Sequence, residues 1–337
     1  MKVVVTGGAG FIGANLVREF LAAGDMVTVL DDFSTGERVN LDGCDASIVE
    51  GSILDTVVLD EALDGAEAVV HLAARPSVPR SLADPLASHH ANATGTLQVL
   101  EAARRASKPH VIVASSSSVY GANRTMPKSE DLVPMPVSPY AVSKLATESY
   151  ALSYGACFGL KVLAFRFFNV YGPYQRAGHA YAAVVPAFVS AALTDEPLQV
   201  HGDGRQTRDF TFVGSVTMIL SDAVHRRVTS DRPVNLAFGT RASLLDLVAE
   251  LEQVLGRSLR TTHCDPRPGD VRDSQADNSR LVELFPATEA IPLRAGLRST
   301  VDWFRRDGGL VSAPLGTPEA RVSRDSPPEV PDPAGQG

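Results

Sequence analysis

Five short apolar runs punctuate the first half of the chain: KVVVT at 2–6, MVTVL at 26–30, AVVHL at 68–72, HVIVAS at 110–115 and KVLAFRF at 161–167. Each is rich in β-branched residues and longer stretches of helical spacing lie between them, an order that predicts parallel pairing in a doubly wound sheet. In the first intervening stretch Ile12, Leu16 and Phe20, joined by Val17 and Leu21, make one apolar face, and Gly24 stands where a helix C-cap is expected. Beyond about residue 173 the alternation loosens into loops of clustered charge, VHGDGRQTRDF and DPRPGDVRDSQAD. The pattern predicts a sheet domain over 1–172 to which 212–240 returns, and a smaller α/β region over 173–211 and 241–308 that covers it. The segment 309–337 is Pro, Gly, Ser and charge without periodicity, the composition of a disordered tail.

Composition narrows the class. The 337 residues are 44% hydrophobic and 21% charged, ordinary for a globular protein with material for a large core. A formal net charge of −8 without a basic block argues against a nucleic-acid partner. No stretch approaches the roughly 20 apolar residues of a membrane span, and Met1 runs directly into a strand, so a cytoplasmic protein is expected. Cys44, Cys157 and Cys264 are scattered, and the histidines lack convergent spacing, so neither a disulfide framework nor a metal site is predicted.

Chemistry enters with TGGAGFIG, which follows the first strand and opens the first helix. Gly7 permits the tight turn, Gly10 lets backbone approach a pyrophosphate, and Gly13 lets the helix pack closely, the arrangement that sets a dinucleotide on a helix N-terminus. Asp31, at the end of the second strand, suits the two adenosine ribose hydroxyls and repels a 2′-phosphate, and DFSTG after it brings no arginine; NAD is expected rather than NADP. A second cluster comes after the run at 110–115: Ser116 in ASSSSVYG, then Tyr140 and Lys144 in SPYAVSK. On a helix the last two share a face. A cation about 4 Å from a phenol, at an effective dielectric near 20, is worth roughly 4 kcal/mol or about three pKa units before desolvation. Lys144 together with the positively charged nicotinamide is therefore expected to draw Tyr140 toward the working pH, and Ser116 to hydrogen-bond the same substrate oxygen.

Together TGGAGFIG, HLAA at 71–74, NATGT at 92–96, SSSSVYG, YAVSK, RFFNVYGP and RPGD at 267–270 resemble the extended short-chain dehydrogenases/reductases, specifically the NAD-dependent nucleotide-sugar epimerases and dehydratases, over nearly the whole chain to about residue 306. The resemblance implies a Rossmann-like doubly wound sheet with a smaller C-terminal substrate-binding region, and Ser116, Tyr140 and Lys144 as the catalytic trio. It places NAD along Gly7, Gly10, Phe11, Ile12 and Gly13, then Asp31, Asp32, Ser34, Thr35 and Gly36, then Ser52 and Ile53. Leu72, Ala73, Ala74, Arg75 and Asn92 continue that lining, with Ser115, Tyr140, Lys144 and Phe167 at the far end. It assigns the nucleotide sugar to Ser116, Ser117, Ser118, Asn169, Arg176, Ala183, Val184, Val200, Arg208, Arg267 and Asp270; two arginines suit a diphosphate. It also implies a homodimer through the helices near 90–106 and 140–157.

Members of this family share oxidation of the sugar at C4 and differ in the fate of the keto sugar. Similar dehydratases carry an Asp-Glu pair directly after the catalytic Ser or Thr, and the decarboxylases that make UDP-xylose a glutamate in that segment; here Ser117 and Ser118 stand there, so return of the hydride, a 4-epimerisation, is expected. YGPYQRAG at 171–178 resembles a segment of the UDP-glucuronate 4-epimerases in which an arginine at the place of Arg176 faces the sugar carboxylate. AGHAYAAVVP downstream is closer to epimerases of N-acetylated sugars, and Ser274 leaves room for a 2-acetamido group. UDP-glucuronate is thus the expected substrate, with UDP-glucose and UDP-N-acetylglucosamine open beside it; a catalytically silent NAD-binding protein is the alternative of another class.

Overall fold

The computed structural model describes residues 1–177, 183–265 and 273–306. Lys2–Thr6 (β1), Met26–Asp31 (β2), Ser47–Glu50 (β3), Ala68–His71 (β4), His110–Ser116 (β5) and Val162–Phe167 (β6) join Val234–Leu236 in one seven-stranded sheet. Every pairing is parallel, in the order Val234–Leu236, β6, β5, β4, β1, β2, β3. The chain lays down β1 to β3 outward in one direction, then returns to the other side of β1 for β4 to β6. The turn leaving β1 and the turn leaving β4 therefore diverge at their carboxyl ends and open a crevice, where a Rossmann-like α/β fold takes its ligand.

Both faces of the sheet are covered, which is why the strand runs lack polar alternation. Val3, Val4 and Val5 are fully buried. Val3 and Val5 pack with Leu16, Val17 and Phe20 of α1 (Phe11–Ala22) and with Val216, Ile219 and Leu220 of Val213–His225; Val4 faces the opposite layer, with Leu59, Leu63, Leu100 and Ala151. Burial of each such side chain is worth roughly 1.5–3 kcal/mol. A third cluster stands apart: Phe188, Val189, Leu247, Leu251, Leu297 and Phe304, from the helices Val184–Leu193, Leu244–Leu255 and Leu293–Arg306. Beside it the short strands Leu198–His201 and Thr261–Cys264 pair in parallel.

Helix Pro139–Phe158 shows how local sequence fixes a functional element. Ser138 accepts the Ala141 N–H at 3.2 Å, Pro139 fills the first helical position, where no N–H is needed, and Gly159 ends the helix at φ +68°. No helix among the described residues is long and apolar enough to cross a membrane.

Candidate active site

The carboxyl ends of the strands surround a cavity of about 1030 Å³, at the upper end of the range that holds small-molecule ligands. Its floor is the turn from Thr6 to Phe11. Gly7 adopts φ +73°, and a Cβ there would lie 2.6 Å from the Ala73 nitrogen; at Gly13 it would lie 2.2 Å from the Gly7 oxygen. The chain's own packing thus requires both glycines. Gly10 differs: an added Cβ would approach only the Gly7 oxygen, at 3.2 Å, and its other side opens on the cavity. Gly10 is also the N-cap of α1 and offers no side-chain cap. A turn left open where the protein alone does not need it, ending in a bare helix N-terminus, fits the pyrophosphate of a dinucleotide.

Asp31 reaches the same cavity from the end of β2, accepting the Ala9 N–H at 2.8 Å and the Phe33 N–H at 2.9 Å, one on each oxygen. Each oxygen keeps a lone pair for a ribose hydroxyl. Burial pushes the Asp31 carboxyl above its ordinary value, against the two N–H groups that hold it down. Asp32 bonds the Ser34 N–H at 2.9 Å and the Ser34 hydroxyl at 2.6 Å, shaping the loop that also brings Thr35 to the wall. Ser52, Ile53, Leu72, Ala73, Ala74, Arg75 and Phe167 line the cavity as well.

Two of the expected cofactor residues do not. Gly36 packs its α-carbon against Ala9 and Gly10, where a Cβ would come within 2.8 Å of the Ala9 carbonyl carbon, and so supports the phosphate turn from behind. Asn92 is buried in a π-helical turn, His90–Thr94, its Oδ1 accepting the Arg75 N–H at 2.7 Å and its amide donating to the Arg75 carbonyl at 3.2 Å and to Ser143 Oγ at 2.9 Å. It acts on the cavity by holding Arg75 in the wall. Such single π turns re-aim one side chain out of helical phase.

At the far end Ser116, Tyr140 and Lys144 come together on the cavity wall. The Ser118 N–H donates to Ser116 Oγ at 3.2 Å, leaving the Ser116 hydroxyl proton free to be donated into the cavity. Lys144 Nζ donates to the Ala114 carbonyl at 2.8 Å, and burial pushes its ammonium down to about 8. Desolvation also dominates at Tyr140 and pushes the phenol up, the Ser116 hydrogen bond opposing it. With the ammonium turned to the Ala114 carbonyl, the folded chain by itself holds the Tyr140 phenol above its ordinary value. Ser115 donates to Glu148 Oε2 at 2.7 Å and to the Lys144 carbonyl at 3.1 Å; Glu148 in turn pairs with Arg166 at 2.6 Å, both side chains only 3% exposed. This buried pair clamps the end of β5 to the helix that carries Tyr140 and Lys144.

Sequence reasoning also missed the polar chain beneath the trio. Thr6 Oγ1 bonds His71 Nδ1 at 2.7 Å, and His71 Nε2 bonds Thr96 Oγ1 at 3.1 Å, which contacts Thr147 Oγ1 at 3.1 Å. Burial first, and then the charge of Lys144, push His71 down to about 3. The folded protein therefore refuses a proton that an unfolded histidine takes up below about 6.5. This contribution is intact above about pH 6.5 and is lost as pH falls toward 3, at up to about 1.4 kcal/mol per pH unit. Urea titrations at pH 7.5 and pH 5 should show His71→Asn losing about 2 kcal/mol less than the parent over that interval; equal losses refute the assignment.

A second cavity, of about 770 Å³, adjoins the first through Asn169, Val170 and Ala183. Asn169, in the left-handed region at φ +35°, sits at their junction; Ala183, Val184 and Arg208 line the second. Val200 does not. It is fully buried in the third cluster, and strand alternation hands the wall to Gln199 and His201. Ser117 and Ser118 lie in the turn after β5 and line neither cavity, and the Ser118 hydroxyl is buried without a partner. Arg267 and Asp270, like the tail from 309 onward, fall outside the described residues.

Arg176 lines the first cavity, but its guanidinium is engaged: Nη2 lies 2.9 Å from Glu37 Oε2, while Nε is buried with no partner. Its segment is fastened to α1 by Asn15 Nδ2, which donates to the Pro173 carbonyl at 3.0 Å, and by the Arg18 guanidinium, 4.5 Å over the Tyr174 ring. Glu37 was not foreseen, although it continues DFSTG directly; nor were Asn40, which donates to the Ala9 carbonyl at 2.9 Å, and Arg80 in the cavity wall.

Glycine turn, ribose carboxylate and the Ser-Tyr-Lys group around a crevice at the switch point define a Rossmann-type enzyme that handles a nicotinamide dinucleotide. Residues 3–237 match the NAD-dependent epimerase/dehydratase family, and the chain belongs to that family. It is 37% identical to a UDP-glucose 4-epimerase of Mycolicibacterium smegmatis, covering 90% of this chain and 99% of the relative. Among solved structures, the UDP-N-acetylglucosamine 4-epimerase of Methanobrevibacter ruminantium M1 is 35% identical with a TM-score of 0.86, over 91% of this chain and 98% of that one. A Bacillus cereus UDP-glucuronic acid 4-epimerase, in complex with UDP-glucuronic acid and NAD, is 31% identical with a TM-score of 0.81, over 90% and 99% of the two chains.

Proposed function

We propose that this protein inverts C4 of a UDP-sugar through a 4-keto intermediate, with 1–172 and 212–240 holding NAD and 173–211 and 241–308 holding the nucleotide sugar. The observation that carries the proposal is Ser116, Tyr140 and Lys144 together on one cavity wall, beside a segment, Ser116–Ser118, that holds no carboxylate. NAD, when bound, supplies the acceptor and donor of a hydride and a positively charged ring. Tyr140 Oη holds the proton of the sugar 4-hydroxyl and gives it back, while Ser116 positions that oxygen. Lys144 keeps a positive charge at the site at neutral pH, and Asp31 anchors the ribose. Without an acid-base carboxylate after Ser116, the keto sugar has no partner for elimination. A homodimer through Gly95–Arg105 and Pro139–Phe158 accords with Val142 and Tyr150 standing exposed on the latter helix.

For the sugar, Arg176 supports UDP-glucuronate, because a guanidinium with donors to spare suits a C6 carboxylate. Pairing of Arg176 with Glu37 favours the second reading, a neutral hexose such as UDP-glucose. Arg176→Ala separates them. A lost charged hydrogen bond of about 1.5–3 kcal/mol predicts a roughly 10- to 100-fold fall in kcat/KM for UDP-glucuronate, with UDP-glucose changed less than about threefold. Equal losses on both sugars rule out the uronate reading.

A further inference from the structure

We infer that Glu37 is a specificity-determining residue: its carboxylate occupies Arg176 as an internal competitor and sets how strongly the site favours an anionic sugar over a neutral one. The inference rests on the reading that Arg176 meets the substrate. Both side chains line the cavity that holds Ser116 and Tyr140, and they come from distant parts of the chain, Glu37 from the loop after β2 and Arg176 from the segment after β6. Glu37 is fixed at its backbone, its N–H donating to the Ala9 carbonyl at 3.1 Å and its carbonyl accepting the Asn40 N–H at 2.9 Å. The neighbouring cation does not neutralise it, because Arg38 is paired with Glu50 and lies 4.3 Å over the Phe33 ring.

The pair has the character of a displaceable one. It is a single contact, Glu37 is 43% exposed and Arg176 21%, so solvent screens it and its net worth is small. The buried, unpartnered Nε leaves half of a planar fork unused, and a carboxylate binding in a bidentate manner uses that half together with Nη2. Such a ligand either expels Glu37 or shares Arg176 with it. Expulsion costs the existing pair, and sharing sets two carboxylates against each other across one guanidinium. A sugar without a carboxylate meets neither cost.

Glu37→Gln keeps the size and the backbone tethers and removes the charge. Calorimetric titration of UDP-glucuronate and UDP-glucose into the NAD-loaded parent and variant, with bound NAD quantified in each, tests the idea without depending on turnover. The expected result is a Kd for UDP-glucuronate about three- to fivefold lower in the variant, the range of an exposed ion pair, with UDP-glucose unchanged within about 1.5-fold. An unchanged or weakened uronate affinity overturns the inference, weakening being the mark of a Glu37 that merely holds Arg176 in place. If Arg176→Ala discriminates between the sugars while Glu37→Gln does not, the inference alone falls; if Arg176→Ala affects both alike, the uronate reading falls with it.

Discussion

Tyr140→Phe should lower kcat on any UDP-sugar substrate by about a thousandfold, within the 10²- to 10⁴-fold range of a positioned acid-base group, while leaving bound NAD unchanged. The ring is retained, so packing in the wall between Ser116 and Lys144 survives; only the oxygen that carries the proton is lost. The neighbours cannot replace it. Ser116 has no base of its own, its oxygen already receiving the Ser118 N–H, and the Lys144 ammonium is committed to the Ala114 carbonyl. Desolvation also keeps the Tyr140 phenol above its ordinary value, so it resides in the acid form and needs positive charge nearby to accept a second role as base. Turnover within tenfold of the parent, with a normal NAD content, would show that another group moves the proton and that the trio is misassigned.

Glu148→Ala carries the largest expected cost in stability. Glu148 and Arg166 are joined by two contacts, Nε to Oε2 at 3.0 Å and Nη2 to Oε1 at 2.6 Å, in a layer closed to solvent. Removing the carboxylate strands a guanidinium that cannot deprotonate, a loss of about 3–5 kcal/mol. It also removes one of the two hydrogen bonds that hold Ser115 to the helix Pro139–Phe158, the other going to the Lys144 carbonyl, and so loosens the placement of Ser116. Urea unfolding measures the first effect, and kcat in buffer without denaturant the second. Replacing both partners with apolar residues, Glu148→Leu with Arg166→Met, should restore most of the stability, since the cost lies in the unpaired charge and not in the absence of the pair. A single variant within about 1 kcal/mol of the parent would mean that water reaches Arg166.

The parts of this molecule readable in the sequence are those set by local rules. The strand runs at 2–6, 26–30, 68–72, 110–115 and 161–167 became β1, β2, β4, β5 and β6 because strands buried on both faces must be apolar throughout. β3 was hidden for the same reason reversed: Ser47–Glu50 is a four-residue edge strand, mostly exposed, with no apolar run to betray it. Val234–Leu236 has only three residues, and β6, a partner far earlier in the chain, decides its pairing. The Gly7, Gly10 and Gly13 spacing and the Tyr140, Lys144 spacing were legible because a turn or a helix face fixes them. That Asn92 and Val200 lie buried behind the cavity walls was not legible, because burial depends on packing that no short motif records. Glu37 against Arg176 and His71 against Thr96 join residues far apart in sequence, and only the assembled strand ends bring them within reach.

The late arrival of Val234–Leu236 has a consequence for how the chain is made. Synthesis reaches the end of β6 well before it reaches residue 234, and at about 5–20 residues per second that interval lasts several seconds. Throughout it, one side of β6 presents unanswered amide and carbonyl groups, a template on which another nascent chain can pair. The nascent sheet is complete only after the first part of the covering region, 173–211, has emerged from the ribosome, so speed of elongation across 168–236 governs how long that edge stands open.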